Sequence, residues 1–169
     1  MSKASIVGIG VDLLSFARLQ KLASRSRVPD ENAWHRSDRL ASRILSTEEY
    51  EDWRCLFLAD LGAPTSLSST EKPLRWLGLR WAAKEAAYKA TFPIAVASLR
   101  WKHFSVSQSE KGSGRPTISL SHLGRDQATK FPLFSIDHSA LEWHLSVSHD
   151  AGLIIATVLL ERASHQQHG

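Results

Sequence analysis

The chain has 169 residues, 43% hydrophobic and 22% charged, which is enough for one buried core and too apolar for wholesale disorder. Lys and Arg number 21 against 17 Asp and Glu, and the net charge of +4 points to an anionic partner: a nucleic acid, a phosphorylated metabolite or an acidic protein. The single cysteine, Cys55, excludes an internal disulfide and fits a reducing, intracellular setting, no stretch approaches the ~18 apolar residues of a membrane helix, and polar Met1–Ser5 lacks a signal-peptide pattern.

Taken in order, Ile6-Val-Gly-Ile-Gly-Val11 reads as a short buried strand. From Asp12 to about Ala23, Leu13, Phe16, Leu19, Leu22 and Ala23 recur at helical spacing. Ser24 to Ser37 reads as a loop, and Arg39 to about Trp53 as a second helix. Leu61 to Lys72 is turn-rich. Leu74 to about Thr91 is the clearest helix, Ala-rich with Pro93 just beyond it. Phe104–Val106 and Thr117–Leu120 alternate as strands around a Gly112-Ser-Gly114-Arg115-Pro116 turn. Gln127 to Phe131 suits a short helix. Trp143–Ser148 and Leu153–Leu160 read as strands joined at His149-Asp-Ala-Gly152. Strands at both ends with helices between them make the fold class α+β. A single domain is expected over residues 1–162, followed by a polar tail, 163–169, expected to be disordered.

The basic excess is concentrated. Residues 71–116 hold nine basic and three acidic side chains, residues 1–70 balance at nine and nine, and residues 117–169 hold three and five. An anion-binding surface is therefore expected in the middle of the chain.

Three segments carry residues suited to chemistry. Asp12 ends an apolar run holding Gly8 and Gly10, so it serves either as a helix N-cap or as a hard-cation ligand at the core's edge. The two glycines lack the third of a dinucleotide fingerprint and instead suit close backbone packing. In Arg80-Trp81-Ala-Ala-Lys84-Glu85-Ala-Ala-Tyr88-Lys89, helical spacing puts Trp81, Glu85 and Lys89 on one face. An isolated Glu–Lys pair there is ordinarily a solvated one. Here small alanines leave room for a ligand, Arg80, Lys84 and Lys89 cluster, and Glu85 is the only acid between Glu71 and Glu110. Leu145-Ser-Val-Ser148-His149-Asp150 ends a strand with a histidine able to donate to a phosphate, act as a base or simply cap the strand. No nucleophile elbow surrounds Ser148, and His35, His103, His122, His138 and His144 lack ligand-like spacing.

Gly8-Ile-Gly-Val-Asp12, Arg80–Lys89 and Leu145–His149, in that order, resemble the motifs of the 4'-phosphopantetheinyl transferase superfamily. Within it they resemble the short, single-domain holo-[acyl-carrier-protein] synthase type. The resemblance runs from about Ile6 to Glu161 and weakens over residues 24–38, 53–73 and 122–140, which look like insertions. Trp81 stands where phenylalanine is common. The family fold is a small antiparallel sheet packed against a long central helix. The resemblance implies transfer of the phosphopantetheine arm of coenzyme A to a serine of an apo acyl carrier protein, releasing 3',5'-ADP, in support of fatty acid synthesis. It implies a Mg²⁺ cofactor on Asp12 and Glu85, with Glu85 or its water accepting the serine proton. It places Lys89 on the pyrophosphate and Arg80 and Lys84 near the nucleotide phosphates. Gly114, Arg115 and Pro116 match the hairpin near the adenosine, Ser148 and His149 lie at the nucleotide, and Asp150 lies near the metal. Arg18, Lys21 and Arg25 resemble carrier-protein docking residues, although a solvated helix face explains them equally well. The resemblance also implies a homotrimer with sites between subunits.

A nucleic-acid-binding module is the rival reading, but the six tryptophans are scattered rather than interleaved with basic residues. A catalytically inactive scaffold is disfavoured by Asp12, Glu85 and Lys89. The expected compartment is intracellular: mitochondrial for a fungal-like chain, otherwise cytoplasmic. Neither nucleic acid nor membrane is an expected partner.

Overall fold

The first strand, β1 (Ser5–Ser15), runs past its expected end at Val11 because it pairs along its length with the last one. In this computed structural model, residues 5–25, 33–57, 71–92, 99–108, 114–121, 125 and 141–162 are described. The expected helix at Gln127–Phe131 and the tail 163–169 lie outside them.

Strand pairing overrides helical spacing at Asp12, which lies opposite Ala156, so helix α1 (Phe16–Ser24) starts later than expected. Its N-cap is Ser15, whose Oγ accepts from the Arg18 amide at 3.4 Å. The cap reading of Asp12 is therefore corrected.

The expected helix from Arg39 to Trp53 is two helices, α2 (Ala33–Ile44) and α3 (Thr47–Phe57). A reciprocal cap breaks it: the Ser46 amide donates to Glu49 Oε2 at 2.9 Å and the Glu49 amide to Ser46 Oγ at 3.3 Å. The Ser46-x-x-Glu49 spacing is legible in sequence as a helix start.

The long helix α4 (Glu71–Ala90) begins slightly earlier than expected. A short 3₁₀ turn, Trp101–His103, leads into β2 (Phe104–Gln108), which forms an antiparallel pair with β3 (Pro116–Leu120). Strands β4 (Leu141–Asp150) and β5 (Leu153–Arg162) complete a separate antiparallel sheet in the order β1-β5-β4. At their turn Ala151 takes φ +47° and Gly152 φ +76°, a left-handed pair that glycine eases.

One sheet face rests on α4. Leu14, Ile154, Ala156, Val158 and Leu160 meet Ala82, Ala83, Ala86 and Ala87 in the main core. Gly8 and Gly10 permit this contact, since a Cβ at either would collide with the carbonyl of Ala90 or Ala86. A second cluster of Ala41, Ile44, Leu45, Trp53 and Leu77 packs α2 and α3 onto the other flank of α4. The architecture is α+β, a small antiparallel sheet against a long helix.

Candidate active site

The close approach of β1 to α4 brings residues 77 positions apart into contact. Lys89 Nζ donates to Asp12 Oδ1 and to the Val11 carbonyl, both at 2.8 Å. The Asp12 side chain keeps 18% of its exposure and that of Lys89 49%, so the pair stands at a rim. Glu85 lies one turn earlier than Lys89 on α4, half-buried, and its Oε1 accepts from Trp101 Nε1 at 3.0 Å. Trp101 in turn packs edge-on against Trp81, with ring centroids 5.6 Å apart. No spacing rule pointed to Trp101, which reaches Glu85 only because the 3₁₀ turn folds back on α4.

Each carboxylate has one oxygen engaged by the protein, Asp12 Oδ1 and Glu85 Oε1, and Oδ2 and Oε2 make no hydrogen bond to a described residue. Hard oxygen donors with free lone pairs beside a lysine suit a Mg²⁺ ion that also carries phosphate oxygens.

Lys84 is corrected. Its side chain is fully buried on another flank of α4, paired with Glu49 Oε2 and donating to the Ile44 carbonyl at 2.9 Å. It therefore cannot reach phosphates at the Asp12 rim. Burial pushes the Lys84 ammonium down to about 8, with Glu49 pulling the other way. Glu49 also accepts from the Val106 amide at 2.8 Å and lies 3.7 Å from Arg80 Nε. This carboxylate joins α3, α4 and β2.

The remaining predicted residues fall in two further places. Arg80, stacked 3.2 Å over the Trp76 ring, shares a cleft of about 170 Å³ with Gly114, Pro116, Leu79, Val106 and Ser107. Desolvation lowers Arg80 to about 10, opposed by Glu49. Gly114 takes φ +62°, as the hairpin turn requires, and Arg115 beside it is exposed. His149 and Asp150 border a groove with Phe16, Arg75 and Gly152 at the far end of β4. His149 lies level with Leu14 rather than Asp12, and β5 separates β4 from β1. Within one chain, then, His149 does not join Asp12, Glu85 and Lys89. Ser148 points to the opposite, exposed sheet face. Arg18, Lys21 and Arg25 are exposed, as expected of a docking face or of a solvated one.

Residues 8–158 match the 4'-phosphopantetheinyl transferase superfamily. A holo-[acyl-carrier-protein] synthase of Micrococcus luteus is 30% identical over 162 residues, 96% of this chain and 97% of the relative. A mitochondrial 4'-phosphopantetheinyl transferase B of Aspergillus fumigatus is 35% identical over 163 residues, 90% of this chain and 92% of the relative. Among solved structures, a holo-(acyl-carrier-protein) synthase of Bacillus anthracis in complex with CoA (3',5'-ADP) superposes with a TM-score of 0.58 at 23% identity, over 94% of this chain and 98% of that one. The chain belongs to the 4'-phosphopantetheinyl transferase superfamily. Within it, this is an enzyme of the holo-[acyl-carrier-protein] synthase type.

Proposed function

We propose that the chain moves the 4'-phosphopantetheine arm of coenzyme A onto a serine of an apo acyl carrier protein, releasing 3',5'-ADP, with Mg²⁺ held by Asp12 and Glu85, in support of fatty acid synthesis. The observation that supports this reading is the Lys89–Asp12 contact at the rim, with Glu85 one helical turn before Lys89 on α4 and each carboxylate keeping an oxygen that bonds no described residue. The serine hydroxyl attacks the pyrophosphate phosphorus bearing the arm, and the bond to the departing nucleotide phosphate breaks. Such a displacement is driven mostly by positioning and charge neutralisation. The ion would supply that neutralisation on the pyrophosphate. Lys89 adds a second cation there, Glu85 accepts the serine proton directly or through a water, and Trp101 fixes the Glu85 oxygen that faces away.

Arg80, Gly114, Arg115 and Pro116 form the proposed nucleotide patch, and Ser148, His149 and Asp150 another. Because these patches lie apart in one chain, the complete site is read as shared between copies. The sheet face opposite α4 supports this. Ile9, Val11, Leu13, Leu153 and Ile155 all keep 42–59% of their exposure on it, a contiguous apolar strip suited to self-association. A homotrimer is the proposed assembly, and a monomer mass by light scattering at micromolar concentration would refute it. The domain is read as 1–162, and exposed Cys55 suits a reducing compartment, mitochondrial or cytoplasmic. Among the described residues no helix is long and apolar enough to cross a membrane.

The test of the reaction is mass spectrometry of an apo acyl carrier protein incubated with this chain, coenzyme A and Mg²⁺. Gain of one phosphopantetheine is expected. No gain with the folded, assembled protein refutes the reading.

A further inference from the structure

Trp101 reaches Glu85 from a turn that is held on two sides. Within the 3₁₀ turn, the His103 amide donates to the Arg100 carbonyl at 2.9 Å and the Arg100 amide donates to His103 Nδ1 at 3.0 Å. Just past β3, the Ser121 amide donates to the His103 carbonyl and Ser121 Oγ to the Lys102 carbonyl, both at 2.9 Å. The indole packs edge-on against Trp81, one turn before Glu85 on α4. So fixed, Trp101 Nε1 donates to Glu85 Oε1 at 3.0 Å. Lys89 Nζ engages Asp12 Oδ1 and the Val11 carbonyl with two of its three protons, which leaves the third for a phosphate. Each carboxylate therefore has one oxygen committed to the protein and one, Oε2 or Oδ2, that bonds no described residue.

We propose that Trp101, supported by Lys89, sets the ion selectivity of this rim by confining Glu85 and Asp12 to one ligating oxygen each, which favours Mg²⁺ over Ca²⁺. The inference rests on the reading of Asp12 and Glu85 as metal ligands. Mg²⁺ is small, binds octahedrally and keeps several waters, so single carboxylate oxygens suit it. Ca²⁺ collects about six to eight oxygens and gains them from carboxylates that turn to offer both. The indole N–H on Oε1 opposes that turn, because its hydrogen bond would be lost at a partly buried place. A donor that orients a metal's ligand tunes the ion without touching it.

The probe is Mn²⁺, its free fraction read by electron paramagnetic resonance as Mg²⁺ or Ca²⁺ displaces it from the intact, assembled chain without substrates. Asp12→Asn should abolish the Mn²⁺ binding, which assigns the signal to the rim. Trp101→Phe keeps an aromatic ring and removes the N–H. It should shift the ratio of Ca²⁺ to Mg²⁺ affinity toward Ca²⁺ by about tenfold, the scale for losing a residue that orients a ligand. A merely structural role would weaken both ions alike and leave the ratio unmoved. Lys89→Met should move the ratio the same way by a smaller factor, since the lost positive charge strengthens both ions and cancels in the ratio. Lys89 is half-exposed, so this variant keeps the test valid if Trp101→Phe fails to fold. An unchanged ratio in folded Trp101→Phe, or in Lys89→Met should Trp101→Phe not fold, overturns the proposal and leaves the metal assignment standing. Mn²⁺ binding that survives Asp12→Asn, or none by wild type, overturns the metal reading and the proposal with it.

Discussion

Helix α4 carries two lysine–carboxylate pairs, and they differ in almost everything except chemistry. Lys84 and Glu49 are 0% and 2% exposed, and further hydrogen bonds tie Lys84 to the Ile44 carbonyl and Glu49 to the Ser46 and Val106 amides. Lys89 and Asp12 are 49% and 18% exposed, and Asp12 keeps a free oxygen. The first pair ties three elements together. The second can change partners when a ligand arrives. A motif read as one cationic patch is thus divided by the helix between architecture and chemistry.

The largest effects should come from the rim. Asp12→Asn and Glu85→Gln should each nearly abolish carrier-protein modification while leaving the circular dichroism spectrum and thermal unfolding close to wild type. A wild-type rate at limiting Mg²⁺ in either variant would break the assignment of these residues to the ion.

On the buried side the reverse is expected. Lys84→Met leaves the buried Glu49 carboxylate with only Arg80, 3.7 Å away, as counter-charge, and removing one partner of a buried pair costs about 3–5 kcal/mol. Denaturant unfolding should show that loss. Lys89→Ala should cost under about 1 kcal/mol of stability, as exposed pairs do, yet lower kcat by roughly 10²–10³ at saturating substrates, the scale for loss of one preorganised charge contact. Equal stability losses in the two variants would erase the contrast.

A smaller, selective effect is expected at α1. Reversing Arg18 and Arg25 to Glu should raise the apparent KM for the carrier protein and leave coenzyme A affinity nearly unchanged, since rim charges act mainly on association. Weakened coenzyme A binding with the carrier protein spared would relocate the docking face.

The smallest effect is on acid sensitivity. Burial, with Arg100 nearby, holds His103 below its ordinary 6.5, and its Nδ1 accepts from the Arg100 amide at 3.0 Å. The unfolded chain therefore binds that proton more readily, and stability should decline as pH falls through 6.5 toward the folded value. The 3₁₀ turn that holds Trp101 on Glu85 should loosen with it. His103→Gln should flatten that part of the stability–pH curve, measured by thermal unfolding across the window.

Much of this was legible in the residues. The alternation in Trp143–Ser148 and Thr117–Leu120, the Gly114 turn and the alanine-rich helix all follow from local rules, because backbone period and turn chemistry are set by near neighbours. Glu85 and Lys89 share a flank for the same reason. Gly8 and Gly10 announced a close approach without naming what would approach. The break between α2 and α3 is also written locally, in Ser46-x-x-Glu49, whose reciprocal cap interrupts the longer helical period.

Other features depended on contacts across the chain. Asp12 lies on a strand rather than on a helix because β5 offers it a hydrogen-bonded partner. Trp101 meets Glu85, and His149 stands apart from Asp12, through the folding of distant segments onto one sheet and one helix. The sequence alone determined which side chains share a face, since helical and strand periods are local. Only the tertiary structure decided that Lys84 goes inward and Lys89 stays at the rim, because burial depends on what packs against each flank, and Glu49 and Asp12 arrive from different parts of the chain.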